Sequence, residues 1–81
     1  MEYSDLPKKR QQEVLGQIIK DILIAQGLSY REFAPRMAWS HSQLGHIIAG
    51  RRNLDFLDWV ALCKALEISS KEFLDKLFQE V

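Results

Sequence analysis

Apolar residues recur along this chain at intervals of three and four positions, the repeat of a helix buried on one face. Val14, Leu15, Ile18, Ile19, Ile22 and Leu23 predict a long first helix that stops at Gly27. Ser4 or Asp5 can cap its start, with Pro7 near the first turn, where a missing N–H costs nothing. Ser29 and Glu32 have the spacing of a capping box and open a short helix to about Met37, with Phe33, Ala34 and Met37 inward. Pro35 removes the N–H that would reach the Arg31 carbonyl, so a kink is expected there. Ser40 caps a third helix to about Ala49, with Leu44 and Ile47 inward and Gly50 as the left-handed stop. Asp55 begins a fourth, whose Phe56, Trp59, Leu62, Cys63 and Leu66 are read as inward. Ser69 and Glu72 form a second capping box, opening a last helix to about Glu80. That helix presents Phe73, Leu74, Leu77, Phe78 and Val81, more apolar surface than closing a core requires. Leu74, Phe78 and Val81 are therefore candidate dimer contacts. The chain has no threonine and nowhere alternates apolar with polar over a strand's length. The expectation is all-α, a compact five-helix bundle.

Composition narrows the function more than the fold. Eighty-one residues make one small domain, with no linker-like tract, and an enzyme cleft with its own lid is not expected. One cysteine forms no internal disulfide, and with two histidines it closes no four-ligand zinc site without carboxylates. His41 and His46 stand five apart, which puts them on different helical faces. Neither a metal nor any other cofactor is expected. Ser40, His41 and Ser42 suggest nucleophile chemistry only superficially, because adjacent helical residues diverge by about 100°. The longest apolar run, Trp59 to Cys63, falls far short of the roughly 20 residues of a membrane span. The first residues carry acids and no apolar core of a signal peptide, so a reducing cytoplasm is the expected setting.

The helices over 30–37 and 41–49 are joined by about three residues, and so short a connection forces the steep crossing of a helix-turn-helix. Ala34 is small where the two cross, Ala38 sits in the turn, and Leu44 and Ile47 pin the second helix inward. From Leu15 to Leu74 the chain runs in order through Gly27-Leu28-Ser29, Phe33-Ala34, Trp39-Ser40, Leu44, Ile47 and Gly50-Arg51-Arg52-Asn53. It continues through Phe56, Trp59, Leu62, Cys63, Leu66 and Ile68-Ser69. This series resembles the phage repressor and Cro type of helix-turn-helix domain, the XRE family with the lambda repressor-like fold. The resemblance makes 15–74 the domain proper, 1–14 an extension of the first helix with a basic cluster, and 75–81 the end of the last helix.

The resemblance further implies a transcription regulator, bacterial or phage-encoded, that acts as a repressor. Such a protein binds an inverted-repeat duplex operator as a homodimer, with its second motif helix in the major groove. Carried over position by position, the DNA-binding residues are Tyr30, Ser40, His41, Ser42, Gln43, Gly45, His46, Arg51, Arg52 and Asn53. Ser42, Gln43 and the imidazoles are suited to base edges, and Tyr30 and the two arginines to phosphates. Lys8, Lys9, Arg10 and Arg31 are candidate phosphate contacts. Family members commonly pair an Arg in the first helix with a Glu near the end of the third. Here those positions hold Leu23 and Ile48, an exchange that leaves no charge buried alone.

Charge gives independent support. Residues 1–53 hold eight basic and five acidic side chains, net +3; residues 54–81 hold three and six, net −3. The basic half contains the motif. Against DNA binding stand a net charge of zero and the absence of Lys or Arg between Met37 and Gly50, which removes the commonest guanine contact. The alternative is a protein-interaction module, antitoxin-like or an adaptor, that keeps the fold without binding DNA and engages a protein partner. His41 and His46 also read as solvated surface residues, and Lys8 to Arg10 as a solubilising helix end.

Overall fold

The computed structural model describes residues 3–79. A short 3-10 turn over Tyr3–Asp5 precedes α1, Lys8–Gln26. Then come α2, Tyr30–Phe33; a 3-10 turn over Ala34–Met37; α3, His41–Ile48; α4, Phe56–Ala65; and α5, Ser70–Gln79. The described residues contain five α-helices and no strand, as the periodicity predicts. Val14, Ile18, Ile19, Ile22 and Leu23 bring one face of α1 into a core completed by Phe33, Ala34, Leu44, Ile47, Leu62, Cys63, Leu66, Phe73 and Leu77. Trp59 packs edge-on against Phe73 with ring centroids 4.6 Å apart, which joins α4 to α5.

Caps set the helix boundaries. The Ser29 hydroxyl accepts from the Glu32 N–H, and the Glu32 carboxylate accepts in return from the Ser29 N–H, both at 3.1 Å. Ser40, Asp55 and Ser69 accept in the same way from Gln43, Asp58 and Glu72. α1 instead starts behind Pro7, which makes no side-chain cap, so neither Ser4 nor Asp5 caps it. Those two residues lie in the preceding 3-10 turn, and Tyr3 fixes that turn to α1 by donating its hydroxyl to the Gln11 carbonyl at 2.9 Å. At the C-terminal ends, Gly27 and Gly50 take left-handed backbone angles, and so do Ala38 and Glu67. The next residue after each donates back to the carbonyl five positions earlier: Leu28 to Leu23, Trp39 to Ala34, Arg51 to His46 and Ile68 to Cys63.

Two further local expectations are corrected. The first motif helix is no continuous run to Met37: α2 ends at Phe33, and the chain tightens into 3-10 geometry with Pro35 in its first positions. A proline needs no N–H partner there, so the lost bond becomes a change of helix type. Phe56 shares the angular stripe of Trp59 and Cys63 yet is 75% exposed, because α4 begins a turn before it reaches the core. Leu23 is buried and Ile48 half-buried, and Gly16, two turns before Leu23, meets the Ile48 backbone.

That crossing is close. A Cβ on Gly16 would lie 2.6 Å from the Ile48 carbonyl carbon and 2.8 Å from the Ile47 carbonyl oxygen, inside van der Waals contact with backbone that cannot rotate away. Gly50 closes the same junction, where a Cβ would meet Glu13. Gly16→Ala is therefore expected to cost about 3 kcal/mol, at the upper end of overpacking in a core. Urea unfolding checks this: the midpoint should fall with an unchanged slope.

Candidate nucleic-acid interface

Leu44, Ile47 and the half-buried Ile48 face the core, so α3 turns His41, Ser42, His46 and Ala49 to solvent. Gln43 and Gly45 lie on its two flanks, half-buried. Ser40 holds the helix start through its cap, which leaves its own side chain engaged with the Gln43 N–H. Tyr30, at the start of α2, packs its ring 5.7 Å from that of His41. The first motif helix thereby touches the first turn of α3, and the phenol reaches the edge of the exposed face.

The other end of α3 meets α1. Gln12 donates its side-chain amide to the Asn53 side-chain oxygen, and Gly50 packs on Glu13. Lys8 and Lys9 precede Gln12 and Glu13 by four residues, one helical turn on the same faces. The exposed Lys8 and Lys9 and the exposed Arg51 and Arg52 therefore border one seam, beside the C-terminal end of α3. Arg10 is drawn aside by a 3.7 Å ion pair with Glu13. Arg31 is exposed on α2, next to Tyr30.

The fold thus collects Tyr30, His41, Ser42, Gly45 and His46 along one helix and its neighbour, and gathers the basic residues 8, 9, 51 and 52 at one end. Sequence reading missed the Gln12–Asn53 bond that joins the two basic segments, since nothing local to either residue signals a partner 41 positions away. It also missed Leu57 and Val60, which with Phe56 form an exposed apolar set on α4. On α5, Leu74 and Phe78 are exposed by 39% and 58%, while Val81 lies outside the described residues. A cleft of about 350 Å³ between α1 and α5, lined by Ile18, Ile22, Glu67, Ile68, Glu72 and Lys76 among others, shares no residue with this interface. Among the described residues there is no group of three or more metal-ligating side chains, and no helix is long and apolar enough to cross a membrane.

A family model described as helix-turn-helix matches residues 19–73, more than half of the chain. Among solved structures, the restriction-modification controller protein C.AhdI from Aeromonas hydrophila aligns at 26% identity and TM-score 0.73, covering 79% of this chain and 97% of that one. The restriction-modification controller protein C.Esp1396I aligns at 23% identity and TM-score 0.78, covering 85% and 90%. The clp gene regulator ClgR from C. glutamicum aligns at 24% identity and TM-score 0.76, covering 82% and 85%. No match was found among curated proteins.

The capping box that starts α2 carries a pH signature. Hydrogen bonds from the Ser29 N–H, and then from its hydroxyl, hold the Glu32 carboxyl below its usual value, with Arg36 adding a smaller push. A lowered carboxylate stabilises the fold above its ordinary range and loses that contribution as the pH falls through the lowered value. Glu32→Gln should accordingly flatten the decline of the melting temperature below about pH 4.5 and leave the neutral-pH slope unchanged.

Proposed function

The chain belongs to the helix-turn-helix family, and from that premise we propose that it is a sequence-specific transcription regulator of double-stranded DNA. In this reading it is a repressor that binds an inverted-repeat operator as a homodimer. The observation that carries the proposal is the arrangement around α3: an exposed helical face with the Tyr30 phenol at one end and a seam of four cations at the other. A rod so flanked can enter the major groove while phosphates on either side meet the phenol and the cations. Gln43 and Ser42 supply neutral donors and acceptors for base edges, and the imidazoles of His41 and His46 add donors. The family membership and the likeness to C.AhdI, a controller protein, point the same way. Bound at a promoter, such a protein represses by occupancy and needs no cofactor.

The homodimer draws on size and surface. The molecule measures 35 × 23 × 23 Å, so two copies side by side space equivalent helices on the scale of one DNA turn, about 34 Å. Leu74 and Phe78, exposed one turn apart on α5, give a copy something apolar to bury. A reading as a protein-interaction module has its own support in the uncharged α3 and the exposed Phe56, Leu57 and Val60.

Salt dependence separates the two readings. A regulator contacting several phosphates loses affinity for random duplex steeply between about 50 and 200 mM salt, whereas an interaction module gives no measurable binding. Arg51→Ala should lower the magnitude of the log–log salt slope by about one unit without altering sequence preference, and Gln43→Ala should relax preference at one base pair. Parent-like behaviour in both variants would contradict the assignment of these residues.

Replacing Leu74 and Phe78 together by Asp leaves the buried Phe73 and Leu77 in place. Sedimentation should then report a folded monomer, and operator affinity should drop at least tenfold through loss of the second half-site. A dimer of parent stability would place the interface elsewhere.

A further inference from the structure

Each glycine in a folded chain replaces a side chain that would have stabilised the structure or met an obstacle. Gly27 and Gly50 occupy left-handed backbone angles, at φ of 69° and 78°. Gly16 sits against the backbone of Ile47 and Ile48. Those three have reasons within the fold. Gly45 has none: it lies inside the regular helix His41–Ile48, its φ is helical, and a Cβ built on it would meet nothing within 4 Å. At such a position glycine is less favourable than alanine by about 1 kcal/mol. In a helix of only eight residues the cost has few other residues to offset it.

The position itself shows what the missing side chain can serve. Gly45 stands about 100° around α3 from the buried Leu44, on the flank that continues from His41 to the exposed face. Its carbonyl accepts from the Ala49 N–H at 3.0 Å, and its N–H lies within the helical ladder, so neither backbone polar group is free for a ligand. What Gly45 offers is a half-buried methylene with open space where a Cβ would stand. A gap over a bare C–H surface accepts an apolar group and gives nothing to a hydrogen-bonding one.

The major groove displays one apolar group, the C5 methyl of thymine. Resting on the DNA-binding reading above, we propose that Gly45 forms a notch in the recognition helix that receives a thymine methyl, and that it is a specificity-determining residue. The missing Cβ is the space the methyl fills, so the same substitution that strengthens the free protein weakens its complex. Sequence discrimination at this step comes from shape, in a helix with no lysine or arginine to read guanine.

The test pairs Gly45→Ala with deoxyuridine in place of each thymine of an operator recovered from randomised duplexes. Gly45→Ala should raise the melting temperature of the free protein by about 4 °C or more, which also establishes that it folds. The parent should lose about fourfold in affinity for each half-site in which the contacted thymine is exchanged for uracil, the worth of one buried methyl. The variant should bind the thymine operator about tenfold more weakly than the parent and recover most of that loss on the uracil operator. Four results would overturn the proposal: a variant no more stable than the parent, parent-like affinity of the variant for the thymine operator, a loss equal on thymine and uracil at every position, or indifference of the parent to every exchange. Should the parent itself bind no duplex at low salt, the DNA-binding reading falls first, and that outcome is recognisable without the variant.

Discussion

The backbone of α1 touches the backbone of α3 at Gly16, and the rest of the interface takes its position from that contact. With no side chain between them, the last turn of α3 is seated at a fixed distance and angle on the longest helix of the molecule. The core side chains Leu44 and Ile47 then set its rotation. Gly50, packed on Glu13, turns the chain so that Arg51 and Arg52 emerge beside the start of α1, and the Gln12–Asn53 bond holds them there. A bulkier residue at position 16 would move α3 and the cationic seam together, because both depend on one junction.

Much of the fold is legible in the sequence because its signals are local. The caps at Ser29, Ser40 and Ser69, the glycine stops and the three-and-four spacing of Ile18, Ile22, Leu62 and Leu66 each act within one or two turns, and the structure realises them, whereas Ser4 caps nothing. What was not legible depends on distant neighbours. Gly16 looks like any glycine within a helix until the carbonyls of Ile47 and Ile48 are placed against it. Phe56 fits the inward stripe of α4 by angle, but angle does not tell how far a helix extends past the elements beneath it. Pro35 announced a break without saying that the break would be a 3-10 turn.

The candidate interface was legible in a different sense. Its residues come from a resemblance in order and spacing; the fold sets Tyr30 against His41 beside the outward residues of α3, while Arg10 pairs with Glu13. The electrostatics gained most from the structure. The +3 excess of residues 1–53 is spread over the sequence, yet Lys8, Lys9, Arg51 and Arg52 border one seam. A protein of zero net charge has little general attraction for a polyanion, so a local seam of this kind is what can give it one. α3 itself carries neutral donors and a bare methylene on its outward side, and in the proposed function these read the groove while the cations hold phosphates.

Titrating the isotope-labelled protein with a short random-sequence duplex at low salt, and following every backbone amide by NMR, tests the central claim most directly. The account predicts salt-sensitive shifts at residues 41–46, at 51–53 and in the first turn of α1, with Leu74 and Phe78 unmoved. Shifts confined to the exposed faces of α4 and α5, or none at all, would contradict it.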